Sequence, residues 1–125
     1  EGANKNYGTQ IMITESTYSL IRKVFLAREL DIIRVVGKAK PIKVYELVGE
    51  KSEIDEEKTR IIKLFEVGIL AYRSRQWDAA ISSFEHILQL SPDDKPTEVY
   101  IQRCREYQQA EPAEDWDGVY TLSTK

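Results

Sequence analysis

The stretch Arg28–Gly49, RELDIIRVVGKAKPIKVYELVG, constrains the fold more than any other part of this 125-residue chain. Two runs rich in β-branched residues, Ile32 to Val36 and Ile42 to Val48, flank Gly37-Lys38-Ala39-Lys40-Pro41. Glycine supplies turn geometry there and proline ends strand pairing, so the stretch predicts a β-hairpin with a basic tip. The continuous run IIRVV implies burial on both faces. The alternation of Ile42, Val44 and Glu46 with Lys43, Tyr45 and Leu47 implies a half-exposed partner, which places the second strand nearer an edge. Upstream, Gln10 to Thr14 reads as a short strand, and Thr14, Ser16 or Thr17 can cap a helix from Glu15 to about Arg22. That helix is too short to stand alone and must pack across the strands. The first 50 residues therefore read β-α-β-β.

The ordered segments YGTQIMITESTYSLI and FLARELDIIRVVGKAKPIKVYEL, preceded by EGANKNYGT, resemble the C-terminal end of the catalytic domain of bacterial class III adenylate/guanylate cyclases. The resemblance covers Glu1 to about Val48. It implies the second half of a ferredoxin-like sheet, in a parent enzyme that turns ATP, or GTP, into cyclic nucleotide and diphosphate in intracellular signalling. It also implies two Mg or Mn ions, a second subunit forming a homodimer, and a metal-binding and ribose-positioning set that precedes Glu1. On this reading the fragment holds no catalytic residue, no metal ligand and no cofactor, and is inactive alone. The family hairpin offers a lysine to the nucleotide phosphates at the position of Val36. Valine cannot do so, which leaves Lys38 and Lys40 at the tip as candidates for phosphate contact, against the plainer reading of solvated turn lysines.

Beyond Gly49 the composition changes to GEKSEIDEEK, a charged connector without apolar periodicity. Domain limits follow: 1–50 for the cyclase portion, 51–58 for the linker, 59–110 for a helical region and 111–125 for a tail. Within the helical region Ile61, Leu64, Phe65, Gly68 and Tyr72 recur at three- and four-residue spacing, as do Ala80, Ile81, Phe84, Ile87 and Leu88. A turn near Ser74 to Gln76 separates these two amphipathic helices. Gly68, Ala80, Phe84 and Pro92 sit at the mutual offsets of the tetratricopeptide repeat, with Tyr72 one place late. Phe65, Gly68, Tyr72, Trp77, Ala80, Phe84 and Pro92 are thus the candidate packing or interaction residues of one such repeat. A third helix, Pro96 to about Gln108, would direct Val99, Tyr100, Cys104 and Tyr107 towards a partner. The fold class expected for the whole chain is α+β. The tail EPAEDWDGVYTLSTK is apolar enough at Trp116, Val119, Tyr120 and Leu122 to pack back on the chain, and its WDG resembles the ending of some bacterial cyclases with an extracytoplasmic sensor.

Charge and composition exclude several classes. With 18 basic and 21 acidic residues the chain has no footprint for nucleic acid. A single cysteine excludes an internal disulfide, and no Cys/His cluster has zinc-ligand spacing. No apolar run is long enough to span a membrane, so a cytoplasmic location is expected, with any anchor of the parent in other segments. Glu29 and Asp31, two residues apart on an extended segment, share a face and suggest paired acid/base work. Arg28 and Arg34 beside them favour structural ion pairing instead. His86 reads as a surface or groove side chain, Cys104 as a small buried hydrophobe, and Trp77 as a staple between helices. Two functional readings stay open: the end of a nucleotide cyclase, or a protein-interaction module docking a peptide, protein or second subunit through its repeat.

Overall fold

The computed structural model describes residues 11–34 and 40–121. The chain is α+β and divides into two compact units, a strand unit of residues 1–55 with 119–125 and a helical unit of residues 56–118. The helical unit is therefore inserted between two parts of the strand unit.

In the strand unit, β1 (Met12–Thr14), α1 (Glu15–Ile21), β2 (Phe25–Arg34) and β3 (Ile42–Glu50) follow in chain order. The two-residue β4 (Tyr120–Thr121) comes from the far end of the chain. Thr14 caps α1 by accepting a hydrogen bond from the backbone N–H of Thr17, and Glu15 in the first turn complements the helix dipole. The sheet order is β1-β3-β2-β4; β1 and β2 both run antiparallel to β3, and β4 runs parallel to β2.

This order corrects the expectation for β3, which is paired on both sides, not near an edge. Its alternating pattern has another cause, since α1 lies over one face and stacks Tyr18 on Tyr45 at 4.3 Å between ring centroids. Alternation reports how a strand's faces are covered, and edge position is a separate property. Two register shifts interrupt the β2–β3 ladder, at Leu26/Ala27 and at Glu29/Asp31. The second inserts Leu30 as an extra residue between Glu29, opposite Tyr45, and Asp31, opposite Val44. Since Tyr45 and Val44 are successive and point to opposite faces of β3, so do Glu29 and Asp31. The shared face expected for these two carboxylates is therefore absent.

The helical unit comprises α2 (Glu56–Arg73), α3 (Trp77–Leu90) and α4 (Lys95–Gln109). The apolar spacing resolves into one core of Phe65, Ile69, Tyr72, Trp77, Ala80, Phe84, Ile87, Tyr100, Ile101 and Cys104. Helix α2 ends in a Schellman arrangement: the Gln76 N–H donates to the Ala71 carbonyl at 2.8 Å and the Arg75 N–H to the Tyr72 carbonyl at 3.0 Å. Arg75 takes the left-handed position at φ 62°, where glycine is the usual occupant. Pro96 in the first turn of α4 fits its fixed φ and missing N–H.

Candidate functional site

In the strand unit Arg28 and Glu29 of β2 find partners across the ladder on β3, while Asp31 bonds to its own neighbour in sequence. Arg28, buried in the fold, donates from Nε at 3.1 Å and from Nη2 at 2.6 Å to Glu46 Oε1, directly opposite on β3. Glu29 faces Lys43 at 3.8 Å, and Lys43 also lies 4.0 Å from Glu15 at the start of α1. Asp31 is fully buried and accepts the Ile32 N–H on Oδ1 at 2.8 Å. Carboxylates and cations held in this way fix strand register and leave no vicinal pair for proton transfer. Among the described residues no group of three His, Cys, Asp or Glu side chains could hold a metal ion. Of the two tip lysines, Lys40 is exposed and Lys38 lies outside the described residues.

The helical unit gathers six of the seven candidate repeat residues. Gly68 lets α3 approach so closely that a Cβ there would stand 2.5 Å from the Phe84 ring. Ala80 is fully buried in the same core. Phe65 meets Phe84 at 5.4 Å and Tyr100 at 5.5 Å, and Tyr72 meets Tyr100 edge-on at 5.0 Å. Trp77 packs edge-on against Tyr72 at 5.7 Å, on the inner side of the helix turn. Pro92 is exposed in the turn after α3, apart from this set. His86 is half-buried on α3. Cys104 is fully buried on α4; burial pushes its thiol up to about 12, only partly opposed by the Arg103 charge, so it is no nucleophile.

Sequence reasoning missed Arg75. Its guanidinium donates to Glu111 Oε2 at 3.3 Å, to the Pro112 carbonyl at 3.1 Å and to the Ala113 carbonyl, and lies 5.5 Å from the Trp116 ring. Trp116 completes an aromatic cluster with Tyr72, Tyr107 and Trp77 at 5.3, 5.3 and 5.7 Å. The one available signal was an arginine in the short turn where a helix normally ends on glycine.

Fold and site thus define an α+β chain in which a β-α-β-β unit carries a helical insertion, and its sequence is similar to part of an adenylate cyclase. The relationship is visible in the sequence: the chain is 33% identical over 104 residues to the protein described as "Adenylate cyclase, terminal-differentiation specific" from Dictyostelium discoideum. The match takes in 80% of this chain and 5% of that protein. A single match over four-fifths of 125 residues must include roughly residues 26–100 wherever it begins, and so reaches both units. No family model and no solved structure matches the chain.

Proposed function

We propose that this chain is the C-terminal part of a class III cyclase catalytic domain with a helical appendage. The longer protein would convert ATP, or GTP, to cyclic nucleotide and diphosphate in intracellular signal transduction, on the cytoplasmic side of any membrane anchor. The observation that carries the reading is the 33% identity to an adenylate cyclase across four-fifths of the chain. The order β1-α1-β2-β3 agrees with the half of a ferredoxin-like sheet that the resemblance implies. No helix among the described residues is long and apolar enough to cross a membrane.

Two divalent metal ions would act in the parent enzyme, stabilising charge on the transferring phosphoryl group. The residues present here do not fit them, because Glu29 and Asp31 face opposite ways and no three ligands converge among the described residues. Metal binding is therefore assigned to other segments, and Lys38 and Lys40 remain the proposed contribution of this chain, as charge opposite the nucleotide phosphates. The 125 residues incubated with Mn2+ and ATP should form no cyclic nucleotide, whereas the longer protein should. In the longer protein the Lys38→Ala, Lys40→Ala pair should raise KM for the nucleotide. Cyclic nucleotide made by the 125 residues alone would overturn the assignment.

A second reading gives the helical unit its own role as a tetratricopeptide-like module that docks a second subunit. It is favoured by Val67 and Leu70, which stand 57% and 65% exposed on α2 one turn apart. Sedimentation equilibrium should then show association that Val67→Glu with Leu70→Glu abolishes; a monomer at all concentrations would remove this reading.

A further inference from the structure

We propose that the helical unit carries a docking cradle for an acidic, tryptophan-bearing peptide of a partner protein, and that residues 111–116 fill it in cis. The residues concerned all lie within 56–118 and include neither the exposed pair Val67 and Leu70 nor any residue of the strand unit, so the site stands apart from both functional readings. Its walls are Tyr72 near the end of α2, Arg75 in the turn that follows, Trp77 at the start of α3 and Tyr107 in the last turn of α4. Arg75 and Trp77 share one carboxylate, with Arg75 Nη1 3.3 Å from Glu111 Oε2 and the Trp77 indole N–H donating to Oε1 at 3.3 Å. The guanidinium also donates to the carbonyls of Pro112 at 3.1 Å, of Ala113, and of Glu114 at 3.4 Å. The Trp116 N–H closes a turn on the Ala113 carbonyl at 2.9 Å. That turn brings the Trp116 ring to 5.5 Å from the guanidinium and seats it on Tyr72, Trp77 and Tyr107.

These are the contacts of a held peptide, not of a further layer of core. The grip falls on one carboxylate, on backbone carbonyls and on one ring, groups that a partner's acidic segment supplies equally well. Residues 111–116 form no helix or strand and the Glu111 side chain is 65% exposed, whereas Tyr72 and Trp77 beneath them are buried. Charge is complementary, since Arg75 meets a stretch that holds Glu111, Glu114, Asp115 and Asp117. Arg75 keeps a left-handed position, φ 62°, where glycine would carry less strain, and its guanidinium bonds residues 111–114. Displacing the segment uncovers tyrosine, tryptophan and arginine side by side, the residue types that carry most binding energy at interfaces. A tethered segment competes at an effective concentration on the order of millimolar, so the cradle stays guarded until a partner displaces it.

The probe is the blocked octapeptide of residues 111–118, EPAEDWDG, added to the full chain carrying Glu111→Ala and Trp116→Ala, or Trp116→Ala alone if the double variant unfolds. Trp77 is then the single indole of the chain, and its N–H resonance should shift saturably with one peptide bound per chain. Wild type should bind the peptide about tenfold more weakly, because the cis segment competes. Adding Arg75→Gly, which suits the backbone of the turn, should abolish the shift. A peptide that keeps only the glutamate and the tryptophan, with serine elsewhere, should still bind, and one that lacks either should bind about tenfold more weakly. The proposal is overturned by a fixed Trp77 resonance at millimolar peptide, by equal affinity for wild type and variant, by binding that survives Arg75→Gly, or by failure of the serine peptide. A wild-type dimer dispersed by Trp116→Ala assigns the cradle to a second copy of the chain and overturns it as well.

Discussion

The side chains that hold this molecule together are those with least room to change. Gly68 is the clearest, since the Phe84 ring it faces is fully buried and cannot swing away from a Cβ at 2.5 Å. Gly68→Ala should destabilise the chain by about 1–3 kcal/mol through overpacking, despite the gain in helix propensity, as a denaturant titration would show. Arg28 sits in the sheet with 5% of its side chain exposed and depends on Glu46, itself 21% exposed. Glu46→Gln should cost about 1.5–3 kcal/mol, towards the lower end because Glu46 is partly solvated, and a double-mutant cycle with Arg28→Met should recover part of that loss. Cys104 supplies a pH dependence of known sign. Its thiol titrates near 9.0 when exposed and is pushed up to about 12 in the fold, so the unfolded chain loses its proton first. The contribution is fully present below pH 9 and is lost as pH rises towards 12. Comparing wild type with Cys104→Ala across that interval isolates it from the tyrosines and lysines, and a thiol reagent should leave native Cys104 unmodified at neutral pH.

At the scale of elements, what was legible was periodic. The spacing of Phe65, Gly68 and Tyr72 against Ala80 and Phe84 marks two helices and their contact face, and the structure packs them that way. Of the hairpin strands, β3 takes in the whole run Ile42 to Val48, whereas β2 contains Ile32 to Arg34 of the other run and begins seven residues earlier at Phe25, and Val35 and Val36 lie outside the described residues. The faces of β2 were not legible, because a one-residue bulge at Leu30 costs nothing in composition yet turns Asp31 to the other side. Nor was the central place of β3, whose alternation reflects the cover provided by α1. Phe65, Tyr72, Trp77, Ala80 and Phe84 lie in the helical core because packing follows period. The grip of Arg75 was not legible, since it joins residues 36 or more apart in sequence. Helix α4 is a full member of the helical core, and this can be tested at Tyr100, which is fully buried against Phe65, Tyr72 and Phe84. Tyr100→Ala should cost about 3–5 kcal/mol, as for a large aromatic removed from a core. A loss below about 1 kcal/mol would show α4 to be peripheral.

For the whole molecule, the order of the units sets what happens on truncation. The helical unit leaves the strand unit after Asp55 and returns to it after Gly118, so the final residues complete the sheet that the first residues began. Every ring contact among Phe65, Tyr72, Trp77, Phe84, Tyr100, Tyr107 and Trp116 lies inside residues 56–118. Deleting Glu111–Lys125 therefore does two separable things. It strips Trp116 and Glu111 from the helical unit, and it removes β4 from β2. The first loss uncovers Tyr72, Trp77 and Tyr107 and forfeits aromatic contacts of about 0.5–1.5 kcal/mol each beyond their area. At about 4–8 °C per kcal/mol for a unit of this size, the thermal midpoint should fall by several degrees. A deletion that stops after Gly118 keeps Trp116 and removes only β4, so it should fall less. Equal midpoints for the two truncations would show that Trp116 contributes no stability, and an unchanged melting curve for the longer deletion would show that the segment is not packed in solution.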